Sequence, residues 1–124
     1  MVAPDGAYAG DNSVTASSDG CVLREPWRGV GGGEGESVTW LDPGTGRWRQ
    51  VRVSGGFTID VEGAPEQDGV MRLEGRIHYR DGRAAPFRGR WEARDRGVVL
   101  QTFHERDADG AWREWFVGRY VPAP

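Results

Sequence analysis

The sequence predicts an all-β domain, an antiparallel up-and-down β-barrel of about nine strands. Short segments alternate polar and apolar residues with the period of two that a half-buried strand requires. Clusters of glycine, proline and aspartate separate these segments, and the 20 glycines favour tight turns over long helices. Consecutive antiparallel strands joined by short turns form a meander, and closing the meander into a barrel removes its exposed edges.

Length and charge limit the class of protein. The 124 residues suffice for one domain, residues 1–124, with its own core. Aromatic side chains offset a hydrophobic content of only 37%. The net charge is -3, all 16 basic residues are arginine, and the acidic residues are interleaved with them. Because phosphate binding needs a basic face, nucleic acid is not an expected partner.

Cysteine usage and apolar runs limit chemistry and location. The single cysteine, Cys21, excludes an internal disulfide and a thiolate metal cluster. No spacing of His, Cys and carboxylate residues matches a zinc site, so we expect neither metal nor cofactor. No apolar run approaches the ~20 residues of a membrane span, and no secretory signal is visible. The sequence therefore predicts a cytoplasmic protein without membrane contact.

The first elements are a weak strand and a broken one. Residues 7–17 are mostly polar, and residues 21–28 alternate more clearly. Pro26 predicts a bulge or a sheet edge in the second of these strands, because proline cannot donate a ladder hydrogen bond. The Gly-rich residues 29–35 lack the Lys-Ser/Thr ending of a phosphate loop, which indicates a flexible connection or a lid.

The clearest hairpin spans residues 41–53. Its turn is Asp42-Pro43-Gly44-Thr45-Gly46, and strands of alternating character flank it. One face of the second strand carries Trp48, Gln50 and Arg52.

The rest of the chain continues this pattern. Residues 57–62 show the cleanest alternation, which predicts that Phe57, Ile59 and Val61 face a core. Further strands are predicted at residues 70–79, 87–93, 98–106 and 111–121. In the last of them the period of two places Trp112, Phe116 and Tyr120 on one face.

Several motifs resemble those of one family. They are Gly20-Cys21-Val22-Leu23-x-Glu25-x-Trp27-x-Gly29, Gly35-x-Ser37, Asp42-Pro43-x-Thr45-Gly46-x-Trp48-x-Gln50, Met71-x-Leu73-x-Gly75 and Trp112-x-x-x-Phe116-x-Gly118-x-Tyr120. With these residues the chain resembles the DUF1579-type, calycin-like β-barrel proteins over nearly its whole length. The motifs are mostly turns and core positions, so the resemblance implies a fold more than a function. It implies a lipocalin-like barrel with a cavity for a small molecule.

Two departures from that family affect the expectation. The usual aromatic first strand, of the type Phe-x-Phe-x-x-Gly-x-Trp, has no counterpart before Val2, so one strand of the barrel is expected to be missing. We therefore expect residues 112–120 either to close directly onto residues 8–17 or to form a homodimer through the open edge. Arg52 also stands where an aromatic residue is expected, which predicts a more polar lumen.

The inward faces nominate a candidate site. If Trp27 and Trp48 point into the barrel, the period of two brings Glu25, Gln50 and Arg52 inside with them. The resemblance implies that Ser37, Thr39, Gln101, Phe103 and Glu105 face inward too. We predict that Arg52 pairs with Glu25 or Glu105, because unpaired buried ions cost several kcal/mol each. Glu25, Arg52 and Glu105 are then the candidate catalytic residues, and Trp27, Ser37, Thr39, Trp48, Gln50, Gln101 and Phe103 the candidate ligand-binding residues.

Three functions are consistent with such a lumen. The first is binding of a hydrophobic small molecule with a polar group in the aromatic-lined cavity. The second is a cofactor-independent enzyme, such as a cyclase, isomerase or dehydratase, that uses Glu25 or Glu105 as acid or base. The third is a structural barrel whose polar lumen is an internal salt-bridge network. The two histidines contribute to none of these, since alternation places both His78 and His104 on the outer face.

Overall fold

The computed structural model describes residues 10–12, 14–16, 22–29, 33–64 and 69–122. Within these residues the long regular elements are β-strands, and a short 3₁₀ turn lies at Asp95–Gly97. The strands are β1 (Gly10–Asn12), β2 (Thr15–Ala16), β3 (Val22–Gly29), β4 (Glu34–Asp42), β5 (Arg47–Ser54), β6 (Phe57–Gly63), β7 (Val70–Tyr79), β8 (Ala84–Ala93), β9 (Val99–Arg106) and β10 (Trp112–Tyr120). The predicted all-β class is confirmed.

All strands belong to one antiparallel sheet. Its order is β1-β3-β4-β5-β6-β7-β8-β9-β10, and β2 pairs with β3. From β3 to β10 each strand pairs with the next one along the chain, which is the predicted up-and-down meander. The sheet curls into a half-barrel, so side chains from distant strands meet on its concave face. The indole of Trp115 on β10, for example, donates a hydrogen bond to the hydroxyl of Tyr79 on β7 at 3.1 Å.

The turn of the hairpin formed by β4 and β5 follows its residue types. The carbonyl oxygen of Asp42 accepts a hydrogen bond from the amide of Gly46 at 2.8 Å, and a side-chain oxygen of Asp42 accepts another from the amide of Gly44. Gly46 lies at φ 71°, in the left-handed region that glycine enters without a steric penalty. The turn fixes the register in which Thr39 faces Gln50 and Ser37 faces Arg52.

The core occupies the concave face, as the alternation predicts. Its fully buried apolar residues are Ile59, Val61, Leu73, Ile77, Phe87 and Phe103. Their neighbours along each strand, such as Asp60, Glu74 and Arg76, are exposed on the convex face. The predicted inward faces of β3, β5, β6 and β9 are confirmed, and His78 and His104 lie on the convex face.

Two glycines make room for aromatic rings on the concave face. A Cβ atom at Gly35 would lie 2.5 Å from the ring of Trp27, and one at Gly89 would lie 2.7 Å from the rings of both Phe103 and Trp91. Real Cβ atoms do not approach other atoms so closely. The rings of Trp27, Trp91 and Phe103 therefore occupy space that a larger residue at Gly35 or Gly89 would need.

The prediction for β10 is wrong at its first residues. A β-bulge between Glu114 and Phe116 inserts one extra residue and changes the phase of the strand. Trp112 therefore points to the convex face, where the guanidinium of Arg88 lies 4.1 Å from its ring centroid. Trp115 takes the inward position instead. Phe116 and Tyr120, beyond the bulge, face inward as predicted.

The two ends of the sheet stay apart among the described residues. The predicted strand at residues 7–17 is present in part, as β1 and β2, and both pair with β3. Residues 7–9, 13 and 17 lie outside the described ranges, as does Cys21, and Val14 lies between the two short strands. Within those ranges β10 pairs with β9 alone, so direct closure onto β1 or β2 is not observed. The homodimer remains a prediction.

A search of the described residues for a helix long and apolar enough to cross a membrane found none.

Candidate functional site

A cavity of about 350 Å³ opens on the concave face between the first and the last strands of the sheet. Strands β3, β4 and β5 supply its polar wall, and β7, β8, β9 and β10 supply the opposite wall. Its lining residues are Val14, Leu23, Glu25, Ser37, Thr39, Gln50, Arg52, Met71, Trp91, Val99, Gln101 and Tyr120.

The register of three strands creates an ion pair in the polar wall. Glu25 on β3 lies opposite Ser37 on β4, and Ser37 lies opposite Arg52 on β5. Because the middle residue is small, the arginine reaches across it, and its Nη2 lies 2.8 Å from Oε1 of Glu25. The two side chains are only 7% and 14% exposed. The predicted pairing of Arg52 with Glu25 is therefore confirmed.

Further hydrogen bonds hold this arginine in place. Its Nε donates to Oε1 of Gln50 at 3.1 Å, and Nε2 of Gln50 donates to the hydroxyl of Thr39 at 3.0 Å. The guanidinium also lies over the ring of Phe103, 5.0 Å from its centroid. The electron-rich face of an aromatic ring attracts a cation in this position. The buried charge of Arg52 is thus matched by a carboxylate, an amide and a ring, and its position is fixed.

The opposite wall presents an amide nitrogen without a hydrogen-bond partner. Gln101 is 1% exposed, and its Oε1 accepts a hydrogen bond from the indole nitrogen of Trp91 at 3.0 Å. Within the described part of the chain, its Nε2 meets no acceptor at the length and angle of a full hydrogen bond, and its contact with the hydroxyl of Tyr120 is a weak one. A buried donor left without an acceptor costs about 1–3 kcal/mol of stability. A ligand whose acceptor atom bonds this amide would remove that cost, which favours binding.

Tyr120 completes the polar end of the cavity. Burial, and next the negative charge of Glu25, raise the pKa of its hydroxyl to about 12. Side-chain hydrogen-bonding contacts of Arg52 and Gln101 with the phenol oxygen lower this pKa, but by less than the first two causes raise it. The contact from Gln101 falls short of the length and angle of a full hydrogen bond. Tyr120 is therefore neutral at physiological pH and carries an O–H donor beside the amide.

Six of the predicted site residues line this one cavity. They are Glu25, Ser37, Thr39, Gln50, Arg52 and Gln101. A seventh, Phe103, is buried below the guanidinium of Arg52. The period of two pointed to Glu25, Gln50 and Arg52, and the family resemblance pointed to the other four.

Of the two carboxylates predicted as partners of Arg52, Glu105 lies outside the lining of this cavity. Glu105 accepts a hydrogen bond from the hydroxyl of Tyr79 at 2.7 Å, and that hydroxyl accepts one from the indole of Trp115. Burial, followed by the hydrogen bond to Glu105, raises the pKa of Tyr79. Glu105 faces inward, but it lies opposite Phe87 and Arg113, further along the half-barrel than the cavity.

The two tryptophans predicted as ligand-binding residues lie outside the lining of this cavity. Trp27 stacks on Phe57 with a centroid separation of 6.4 Å, and its indole nitrogen is buried without a partner in the described residues. Trp48 lies opposite Gly63 and packs against the core cluster. Both side chains face inward as predicted, but they pack against other side chains and do not line the cavity.

The cavity also contains residues that the sequence did not nominate as binding residues. They are Val14, Leu23, Met71, Trp91, Val99 and Tyr120. Trp91 lies directly opposite Gln101 across the ladder between β8 and β9. Counting back from the turn at Asp95–Gly97 pairs these two residues, so the hairpin register was the signal that could have found Trp91.

No group of three or more His, Cys, Asp and Glu side chains arranged to hold a metal ion occurs in the described ranges. His104 lies in a groove of the convex face beside Arg88 and Thr102, away from the cavity.

Comparisons with protein-family models, curated proteins and solved structures find no match for this chain.

Proposed function

We propose that this domain binds a small, largely hydrophobic molecule in the cavity through one polar group of the ligand. The buried, unpartnered Nε2 of Gln101 is the observation that carries the proposal. In a filled structural core this amide would be replaced by an apolar residue or would meet an acceptor, because native proteins rarely leave such groups unsatisfied. An acceptor atom on a ligand would satisfy it.

The remaining lining supports a mainly apolar ligand. Leu23, Met71, Trp91 and Val99 present hydrocarbon and ring surface to the cavity. Burial of apolar ligand surface against them contributes roughly 25 cal/mol for each Å² removed from water. The volume of about 350 Å³ lies near the lower end of small-molecule sites, which span roughly 300–1,000 Å³. We therefore expect a compact ligand rather than a long lipid.

A neutral apolar dye tests the proposal. N-phenyl-1-naphthylamine should bind the wild-type protein with an increase in its fluorescence. Met71→Trp, which fills the cavity, should abolish this binding. Val53→Trp adds the same bulk to β5 on the convex face, where Val53 is 50% exposed, and should bind the dye like the wild type. Failure of the wild type to bind the dye, or equal binding by all three proteins, would count against the cavity as a binding site.

The alternative function, a cofactor-independent enzyme, would have one carboxylate in this cavity to act as acid or base. Glu25 is the single acidic residue among the described residues that line the cavity. A mechanism with two carboxylates in this cavity is therefore not supported, since Glu105 bonds Tyr79 elsewhere. A cyclase, isomerase or dehydratase would have to use Glu25 with the donors of Gln101 and Tyr120, and the resemblance to calycin-like proteins favours binding over this chemistry.

A further inference from the structure

We infer that the polar group recognised by this cavity is the oxygen of an uncharged carbonyl compound, such as a ketone, ester or amide, held by Gln101 and Tyr120. The inference rests on the proposed function and adds the chemical class of the ligand. Three features of the cavity lead to it: the orientation of one amide, the state of one hydroxyl and the charge balance of the opposite wall.

The orientation of the Gln101 amide is fixed by its neighbour. An indole N–H can only donate a hydrogen bond, so the group that Trp91 contacts at 3.0 Å must be the amide oxygen. The amide nitrogen is consequently the group that remains unpartnered at the cavity. A ligand atom that meets it has to be a hydrogen-bond acceptor. Alcohols satisfy this condition only in part, because their own proton then needs an acceptor as well.

Tyr120 adds a second donor from the same wall. It lines the cavity, and the amide of Gln101 lies close to its oxygen. The phenol stays protonated at physiological pH, so it presents an O–H rather than an anionic oxygen. Two neighbouring donors on one wall suit a carbonyl oxygen, which has two lone pairs.

In the polar wall formed by β3, β4 and β5, the positive charge of Arg52 and the negative charge of Glu25 cancel. Arg52 and Glu25 lie 2.8 Å apart, and Arg52 is further held by Gln50. A carboxylate or an ammonium group on the ligand would have to be desolvated beside an ion pair whose charges already match. Desolvation of an ion costs several kcal/mol, and here no excess charge offsets it. An uncharged acceptor avoids that penalty.

Four nine-carbon compounds separate these chemistries. We would measure displacement of N-phenyl-1-naphthylamine at pH 7 by 2-nonanone, nonane, nonanoate and nonylamine. The ketone should bind about tenfold more tightly than nonane, the effect expected when a buried donor gains its partner. Nonanoate and nonylamine should bind more weakly than the ketone.

Variants at the two donors test the assignment. Gln101→Glu retains an acceptor for Trp91 but replaces the amide donor with a carboxylate, so the preference for the ketone over nonane should disappear and nonylamine should gain. Tyr120→Phe removes the second donor and should reduce the ketone preference, which keeps the test valid if the first variant fails to fold. Thr102→Val, next to Gln101 but on the convex face, should leave the preference unchanged.

The outcomes distinguish this inference from the proposed function. Equal binding of nonane and 2-nonanone, or tightest binding of nonanoate or nonylamine, would overturn the carbonyl assignment and leave the hydrophobic site standing. Loss of the ketone preference in Thr102→Val would also overturn it. Absence of dye binding by the wild-type protein would overturn the proposed function itself.

Discussion

At the scale of single residues, Arg52 decides whether the polar wall serves the fold or a ligand. It is 5% exposed and contacts Glu25, Gln50 and the ring of Phe103. Removal of one partner from a buried ion pair leaves the other charge uncompensated. The same guanidinium also lines the cavity, so stability and binding have to be measured separately.

We predict that Arg52→Leu lowers the free energy of unfolding by about 3–5 kcal/mol. Urea denaturation followed by circular dichroism measures this change. Replacing both Glu25 and Arg52 with leucine should recover most of the stability but not the binding of 2-nonanone. Arg24→Leu is the control, because Arg24 pairs with Glu36 on the convex face, where side chains 61% and 45% exposed make a pair worth about 1 kcal/mol or less. Similar losses for Arg24→Leu and Arg52→Leu would contradict the buried pair.

The pKa of Tyr120 predicts a loss of stability at high pH. The folded-state pKa of about 12 exceeds the usual value of 10.0, so the folded protein holds this proton more tightly than the unfolded chain. The corresponding stabilisation is complete below pH 10 and is lost as the pH rises toward 12. It amounts to roughly 2–3 kcal/mol, at about 1.4 kcal/mol per pKa unit.

Comparison with Tyr120→Phe isolates this contribution. Between pH 9 and 12, the wild type should lose stability more steeply than the variant, since only the wild type carries the buried phenol. Parallel curves for the two proteins over this range would show that the hydroxyl titrates with an ordinary pKa.

The sequence could predict which face of its strand each site residue lies on. It could not predict how far along the half-barrel each residue lies. Alternation beside inward tryptophans predicts that Glu25 and Arg52 face inward, and the family resemblance implies the same for Glu105. Their positions along the half-barrel depend on strand register, which places Arg52 opposite Ser37 and Glu105 opposite Phe87. The sequence does not state where the sheet bends, so it could not separate Glu105 from the pair or bring Tyr120 to it.

At the scale of elements, β10 shows how one inserted residue redirects a strand. The sequence pattern Trp112-x-x-x-Phe116 suggests uninterrupted alternation, but the bulge changes the phase between these two residues. Trp115 then contacts Phe57, Phe87 and Phe103 with centroid separations of 5.1, 5.3 and 6.1 Å. Nothing in the local sequence marks the bulge, since Trp112 and Trp115 are equally good candidates for the inward position.

The two tryptophans should therefore differ in their effects on stability. Trp115→Ala removes three ring contacts and the hydrogen bond to Tyr79, and we expect a loss of about 3 kcal/mol or more. Trp112→Ala removes a ring from the convex face and one contact with Arg88, worth roughly 1 kcal/mol at an exposed site. Thermal or urea unfolding of both variants measures the difference. A larger loss for Trp112→Ala would mean that the strand is not bulged.

At the scale of the whole molecule, the strand order leaves β10 at one end of the described sheet. The sequence predicted the up-and-down order because each turn joins neighbouring strands, and the structure agrees. It could not predict how the ends meet, since closure depends on the summed twist and coil of the strands rather than on any local signal. Among the described residues β10 has one pairing partner, β9.

We predict that β10 is covered in solution, by self-association or by the chain's own N-terminal residues. In an antiparallel strand, amide groups point alternately toward each side, so some amides of β10 face away from β9. Sedimentation velocity and hydrogen exchange over a wide range of protein concentration distinguish the two routes. Protection that increases with concentration indicates a dimer, and protection in a monomer indicates closure. A monomer whose outward amides exchange freely would contradict both.

The sequential order of the strands also has a consequence for folding kinetics. From β3 to β10 every ladder joins strands adjacent in the chain, so most contacts form by closing short loops, which favours rapid folding for an all-β domain. The side-chain contacts between strands that are not neighbours span greater separations, 27 residues from Arg52 to Glu25 and 36 from Trp115 to Tyr79. We expect these to form after the transition state. Arg52→Leu should then accelerate unfolding and leave the refolding rate nearly unchanged in stopped-flow experiments. The cavity would be the last part of the domain to assemble and the first to open.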